Sequence, residues 1–105
     1  MKYRKRPLVI HALQWSGDNA AEIKAFVGER PGTGEPAFLL PHEVPDRGWD
    51  EAHLWTEAEG SWDRCPVGHW VVRGVMGEFY PHHPDSFART YEPVEAEQET
   101  PSRSR

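Results

Sequence analysis

The sequence has a single cysteine, Cys65, and two methionines in 105 residues. One cysteine excludes an intramolecular disulfide and suits a reducing compartment. No apolar run approaches the roughly 20 residues of a membrane-spanning helix. The basic start is followed only by the short stretch Pro7–Leu13, which lacks the long apolar region and small-residue cleavage site of a secretory leader. These absences predict a soluble, cytoplasmic protein with no membrane partner. Positive charge is also scarce, 12 Lys and Arg against 17 Asp and Glu, for a net charge of −5. That balance argues against a partner held by phosphate neutralisation, so no direct nucleic-acid binding is expected. The local basic cluster Lys2, Arg4, Lys5 and Arg6 reads as a solubilising edge on a first strand.

Hydrophobic residues make up only 37% of the chain, which limits it to one small core. Five tryptophans compensate in part, since each large ring can remove roughly 150–250 Å² from water. A core built on a few aromatics leaves room for a homo-oligomer that buries an extra face.

Patterning predicts an α+β domain over 1–94: a small, mainly antiparallel β-sheet of five or six strands, one packed helix and a short C-terminal helical turn. Tyr3–Trp15 alternates from Leu8 onward and reads as a central strand. Asn19 with Glu22 resembles a capping box, Ile23, Phe26 and Val27 share a stripe, and Gly28 ends the helix. Ala37–Leu40 is a short strand between two loops rich in proline and glycine. His53–Glu57 and Ser61–Arg64 form a hairpin that opposes Trp55 and Trp62.

The stretch Gly68–Tyr91, GHWVVRGVMGEFYPHHPDSFARTY, reads as a second hairpin with its reversal at Met76–Gly77. Glu78–Tyr80 returns, Pro81 and Pro84 stop the strand, and a helical turn follows with Phe87 and Tyr91 four apart. Residues 95–105, EAEQETPSRSR, read as a disordered tail.

Two separated stretches, MKYRKRPLVIHALQW and PVGHWVVRGVMGEFYPHHPDSFARTYEPV, resemble a family of small, functionally uncharacterised proteins of bacteriophages and prophages. Members start Met-Lys-Tyr-Arg-Lys-Lys-Pro, with an apolar strand ending Gln-Trp. They carry Pro-Gly-Asp-Tyr/Trp, then Gly-Val-x-Gly-Glu-x-Tyr-Pro-Cys-Lys-Pro-Asp-x-Phe, and close on Thr-Tyr-Glu. The match covers close to half the chain. Val67 stands where the family has glycine, His69 where it has aspartate, and His82-His83 where it has Cys-Lys. The resemblance implies a phage or prophage setting and no particular reaction.

No catalytic motif is present, so no enzymatic activity and no cofactor are expected. His69, His82, His83, Asp85 and Cys65 have none of the paired spacings of a zinc site. Cys65 precedes Pro66 in a turn, and Ser16, Ser61 and Ser86 occupy turn or cap contexts. The polar and aromatic groups around the second hairpin, Trp70, Arg73, Glu78, Tyr80, His82, His83 and Asp85, are the candidate ligand-binding set. Two functions fit. The first is a protein-interaction module acting on a host or phage protein. The alternative is a binder of a nucleotide-like small molecule, with Trp70 stacking a base and Arg73 holding phosphate.

Overall fold

A computed structural model of the chain describes residues 1–4 and 8–94. The expected tail, 95–105, and Lys5 and Arg6 of the basic cluster lie outside the described residues. The elements run β1 (His11–Gln14), α1 (Ala20–Val27), β2 (Phe38–Leu39), β3 (His53–Thr56), β4 (Ser61–Arg64), β5 (Trp70–Arg73), β6 (Phe79–His82) and α2 (Pro84–Thr90). Two short 3-10 turns, Pro41–Glu43 and Pro45–Arg47, separate β2 from β3.

The α+β class holds, and among the described residues every strand pair is antiparallel, but the strands divide into two three-stranded sheets. One has the order β1-β5-β6 and the other β2-β3-β4. The first is therefore assembled from opposite ends of the sequence, and the second, with α1, is inserted between β1 and β5 in chain order. The expected central strand shrinks to His11–Gln14. Among the described residues, the ladder runs from His11 opposite Arg73 to Gln14 opposite Trp70, and Trp15 extends it with backbone bonds to Gly68 and His69. Strand pattern without a neighbour to bond leaves Leu8 and Val9 unpaired and exposed.

Helix α1 spans eight residues and turns Ile23 and Val27 into the core. Phe26 meets Phe79 of β6 edge-on at 5.3 Å. Asn19 stands at the N-cap position without a side-chain bond to the helix backbone. Its Oδ1 instead accepts from the Ser16 amide at 2.9 Å, and its Nδ2 donates to the Gln14 carbonyl at 2.9 Å. The sequence signal for a helix start is real, but the amide ties β1 to α1 rather than capping the helix. Gly28 ends α1 at φ 73°, a left-handed backbone that glycine adopts without a Cβ penalty.

The core lies where the two sheets and α1 meet. Trp15, Ile23, Phe38, Leu54, Cys65 and Val71 form its buried centre. Each fully buried aliphatic or aromatic side chain there stabilises the fold by roughly 1.5–3 kcal/mol. The hairpin β3–β4 sets Trp55 opposite Trp62 as the spacing predicts, rings 5.6 Å apart. Strand β6 continues through Pro81 to His82. It lies at the edge of its sheet, where a missing N–H need cost no ladder bond.

Cys65 shows no exposed surface. Burial first, and Glu51 second, push its thiol up to about 12. At pH 8 the folded thiol should react with a disulfide reagent at least about a hundredfold more slowly than the urea-unfolded chain, because the thiolate is the nucleophile. Rapid labelling of the native protein would contradict this placement.

Candidate functional site

Strand alternation sorts the candidate residues onto two faces of the β1-β5-β6 sheet. Trp70, Val72, Tyr80 and His82 share one face, and Val71, Arg73 and Phe79 share the other. Helix α2 covers the first face. Its Phe87 stacks on Trp70 with ring centres 4.3 Å apart and planes within 7°. His82 meets Phe87 edge-on at 5.7 Å and Tyr91 at 5.9 Å. Phe87 and Tyr91, one helical turn apart, are themselves 5.0 Å apart. The i, i+4 spacing seen in the sequence thus docks α2 onto the sheet.

Arg73 is exposed on the opposite face, beside the Gly74–Gly77 turn. It does not join Trp70. Glu78 folds back over that turn, its Oε1 accepting from the Met76 amide at 3.0 Å. The carboxylate lies against Gly74, where a Cβ would collide with it. The reversal is one residue wider than the expected Met76–Gly77 pair, closed by the Gly74 amide donating to the Glu78 carbonyl at 2.7 Å. His83 caps α2, its Nδ1 accepting from the Asp85 amide at 3.1 Å. Asp85 itself is exposed in the first turn of α2. The seven candidates therefore separate into an aromatic platform (Trp70, Tyr80, His82), a turn (Arg73, Glu78) and a helix start (His83, Asp85).

Around the platform the fold opens a groove of about 590 Å³. One wall is the continuous run Leu8–Ala12, the other is Phe87, Ala88 and Tyr91–Val94, and Trp70 lies between them. Apolar groups dominate. Among the described residues that line it, His11, Tyr91 and Glu92 are titratable and none is Lys or Arg. The walls approach from the two far ends of the domain because β5 pairs with β1 across 55 intervening residues. Sequence reading found Trp70 but missed Leu8, Val9, Phe87 and Tyr91 as groove walls. Their signal was apolar patterning alone, absorbed for Leu8 and Val9 by the expectation of a central strand and for Phe87 and Tyr91 by that of a helical turn.

Of a second aromatic surface, sequence reading found the Trp55–Trp62 pair and missed the groups around it. Arg30 lies over Trp55 at 3.9 Å, Arg47 lies over Trp49 at 5.1 Å, and both lie 5.5 Å from Trp62. Glu35 accepts from Arg30 Nη1 at 2.7 Å and pairs with Arg47 at 3.6 Å. Trp49 also stacks on His53 at 3.8 Å. These groups come from loops and strands with no common spacing, so nothing local announces them. The ring faces are already occupied by the chain's own guanidinium groups, each contact worth roughly 0.5–2 kcal/mol. This surface is a brace for the β2-β3-β4 sheet.

No family model, curated protein or solved structure matches the chain. The site must be read on its own chemistry. Among the described residues, no three His, Cys, Asp or Glu side chains gather as metal ligands. No helix of the described residues is long and apolar enough to cross a membrane. The groove supplies shape, apolar surface and an aromatic floor, the features common to small-molecule and peptide pockets.

Proposed function

We propose that this chain is a non-enzymatic binding module whose groove between β1 and α2 takes an extended, apolar segment of a partner protein. The observation that carries the reading is the groove wall Leu8–Ala12, five consecutive residues that lead into β1 and include its first two. Strand β1 pairs on one side only, with β5, among the described residues. A free strand edge can bond the backbone of an added strand, and neighbouring apolar pockets select its alternate side chains. A wall of that length matches about five extended residues, at roughly 3.3 Å each.

The nucleotide reading has weaker support, because the arginine meant to hold phosphate stands on the opposite face from Trp70. The resemblance to phage and prophage proteins adds a setting. Its two stretches supply all the residues that line the groove, since 8–12 and 70–94 fall inside them. On that basis the module is an accessory protein of a phage or prophage, working on a host or phage protein in the bacterial cytoplasm.

Selection of random heptapeptides on the whole chain should enrich sequences with alternating large apolar residues. Ala88→Arg, which places a bulky cation on an exposed position of the groove wall, should weaken the enriched peptide's binding at least about tenfold, the equivalent of 1.4 kcal/mol. An enriched peptide that binds the variant equally well, or a selection that enriches nothing, would count against the groove. A saturable response to mononucleotides would restore the alternative.

A further inference from the structure

Three histidines gather where β6 runs into α2. His69, just ahead of β5, meets His83 edge to face with ring centres 5.0 Å apart. His82 ends β6 and lies against Phe87 and Tyr91. His83 Nδ1 can cap α2 only while that nitrogen carries no proton, because the Asp85 amide donates to it. The Nδ1 atoms of His69 and His82 are buried without a hydrogen-bond partner among the described residues. A proton added to either would be a buried donor with no acceptor, a costly arrangement.

We infer that His69, His82 and His83 form a proton-operated latch, which holds α2 on the sheet at neutral pH and releases it in acid. The other titratable groups facing these rings are Tyr80 on β6, Tyr91 after α2 and Glu51 ahead of β3. Glu51 alone among them favours a charged ring, at His69. Tyr80 stays neutral, pushed up to about 12 by burial and by its neighbour Tyr91. Asp85 reaches His83 through its backbone amide.

The direction of the response follows from the same contacts. Burial first, then the neighbouring His83, hold both His69 and His82 below the ordinary histidine range. The docked arrangement therefore binds fewer protons than the released one. Its stability is complete above the ordinary histidine value of about 6.5 and is lost as the pH falls from there through the lowered values. Because Phe87 and Ala88 form one wall of the groove, release of α2 also dismantles it. The latch rests on contacts within the free chain and holds whatever occupies the groove.

Hydrogen exchange of the whole chain at pH 7.5 and 5.5, corrected for intrinsic rates, tests it. Protection of the Phe87 and Tyr91 amides, which donate to the His83 and Phe87 carbonyls, should fall at least about tenfold. Each histidine that gains a proton on opening can contribute up to about tenfold per pH unit. The amides of α1 should keep their protection. His83→Asp retains an acceptor for the cap at both pH values, so its response should shrink severalfold. Unchanged α2 protection in acid, equal losses in α1 and α2, or an undiminished response in His83→Asp would overturn the latch. So would ring titrations of the native chain that place His69 and His82 at or above about 6.5, a reading independent of how the variant folds.

Discussion

Phe38→Ala should lower the unfolding free energy by about 3–5 kcal/mol, the range for removing a fully buried aromatic ring and leaving its cavity. Phe38 has no exposed surface, and its ring meets Trp15 edge-on at 5.1 Å and 72°. It stands on β2, a strand of only two residues held by β3. Trp15 follows β1 directly, so the pair joins the two sheets through their interior. The Trp15 amide is in turn bonded to the His69 carbonyl at 2.9 Å, and the Gly68 amide to the Trp15 carbonyl at 2.7 Å. Collapse of neighbours into the space is restricted, because those bonds fix Trp15 on one side. Small domains are stabilised by about 5–15 kcal/mol in total, so the variant should unfold at a much lower urea concentration or be unfolded without denaturant. A midpoint within experimental error of the parent chain would show that the sheets are not joined through this contact.

Trp70→Ala should act more locally, costing roughly 2–3 kcal/mol through lost burial and the lost parallel stack on Phe87. Its ring is half-buried and faces α2 rather than the shared core. With the ring gone, Phe87 retains an edge-on contact with His82 and a tilted one with Tyr91, which do not replace a stacked platform. The expected signature is loss of exchange protection in α2 together with loss of peptide binding, while α1 and the β3–β4 hairpin persist. Uniform destabilisation of every element would place Trp70 in the core instead of under the groove.

Local structure was readable from the sequence wherever neighbours in the chain are also neighbours in space. The β3–β4 hairpin, the Trp55–Trp62 pair and α1 with its Gly28 ending all rest on contacts a few residues apart. The division into two sheets was not readable, because alternation reports which residues are strand-like and not which strands meet. Leu8 and Val9 carry the same apolar pattern as residues of a buried strand, yet they lie exposed. Pro81 looked like a strand stop and is tolerated because β6 is an edge.

The site was legible only in part for a related reason. Trp70, Tyr80 and His82 share one face, since β5–β6 pairing places them there. Arg73 is three residues from Trp70, an odd separation that puts it on the other face of the strand. The Arg30, Arg47 and Glu35 brace depends on loops that meet around three tryptophans, and no periodicity encodes such a meeting.

Amide chemical-shift mapping with the most enriched heptapeptide reads the groove residue by residue. Saturable shifts should fall on Leu8–Ala12, Trp70 and Phe87–Val94, the two walls and the floor. Shifts centred instead on Trp49, Trp55 and Trp62, or none that saturate, would contradict it.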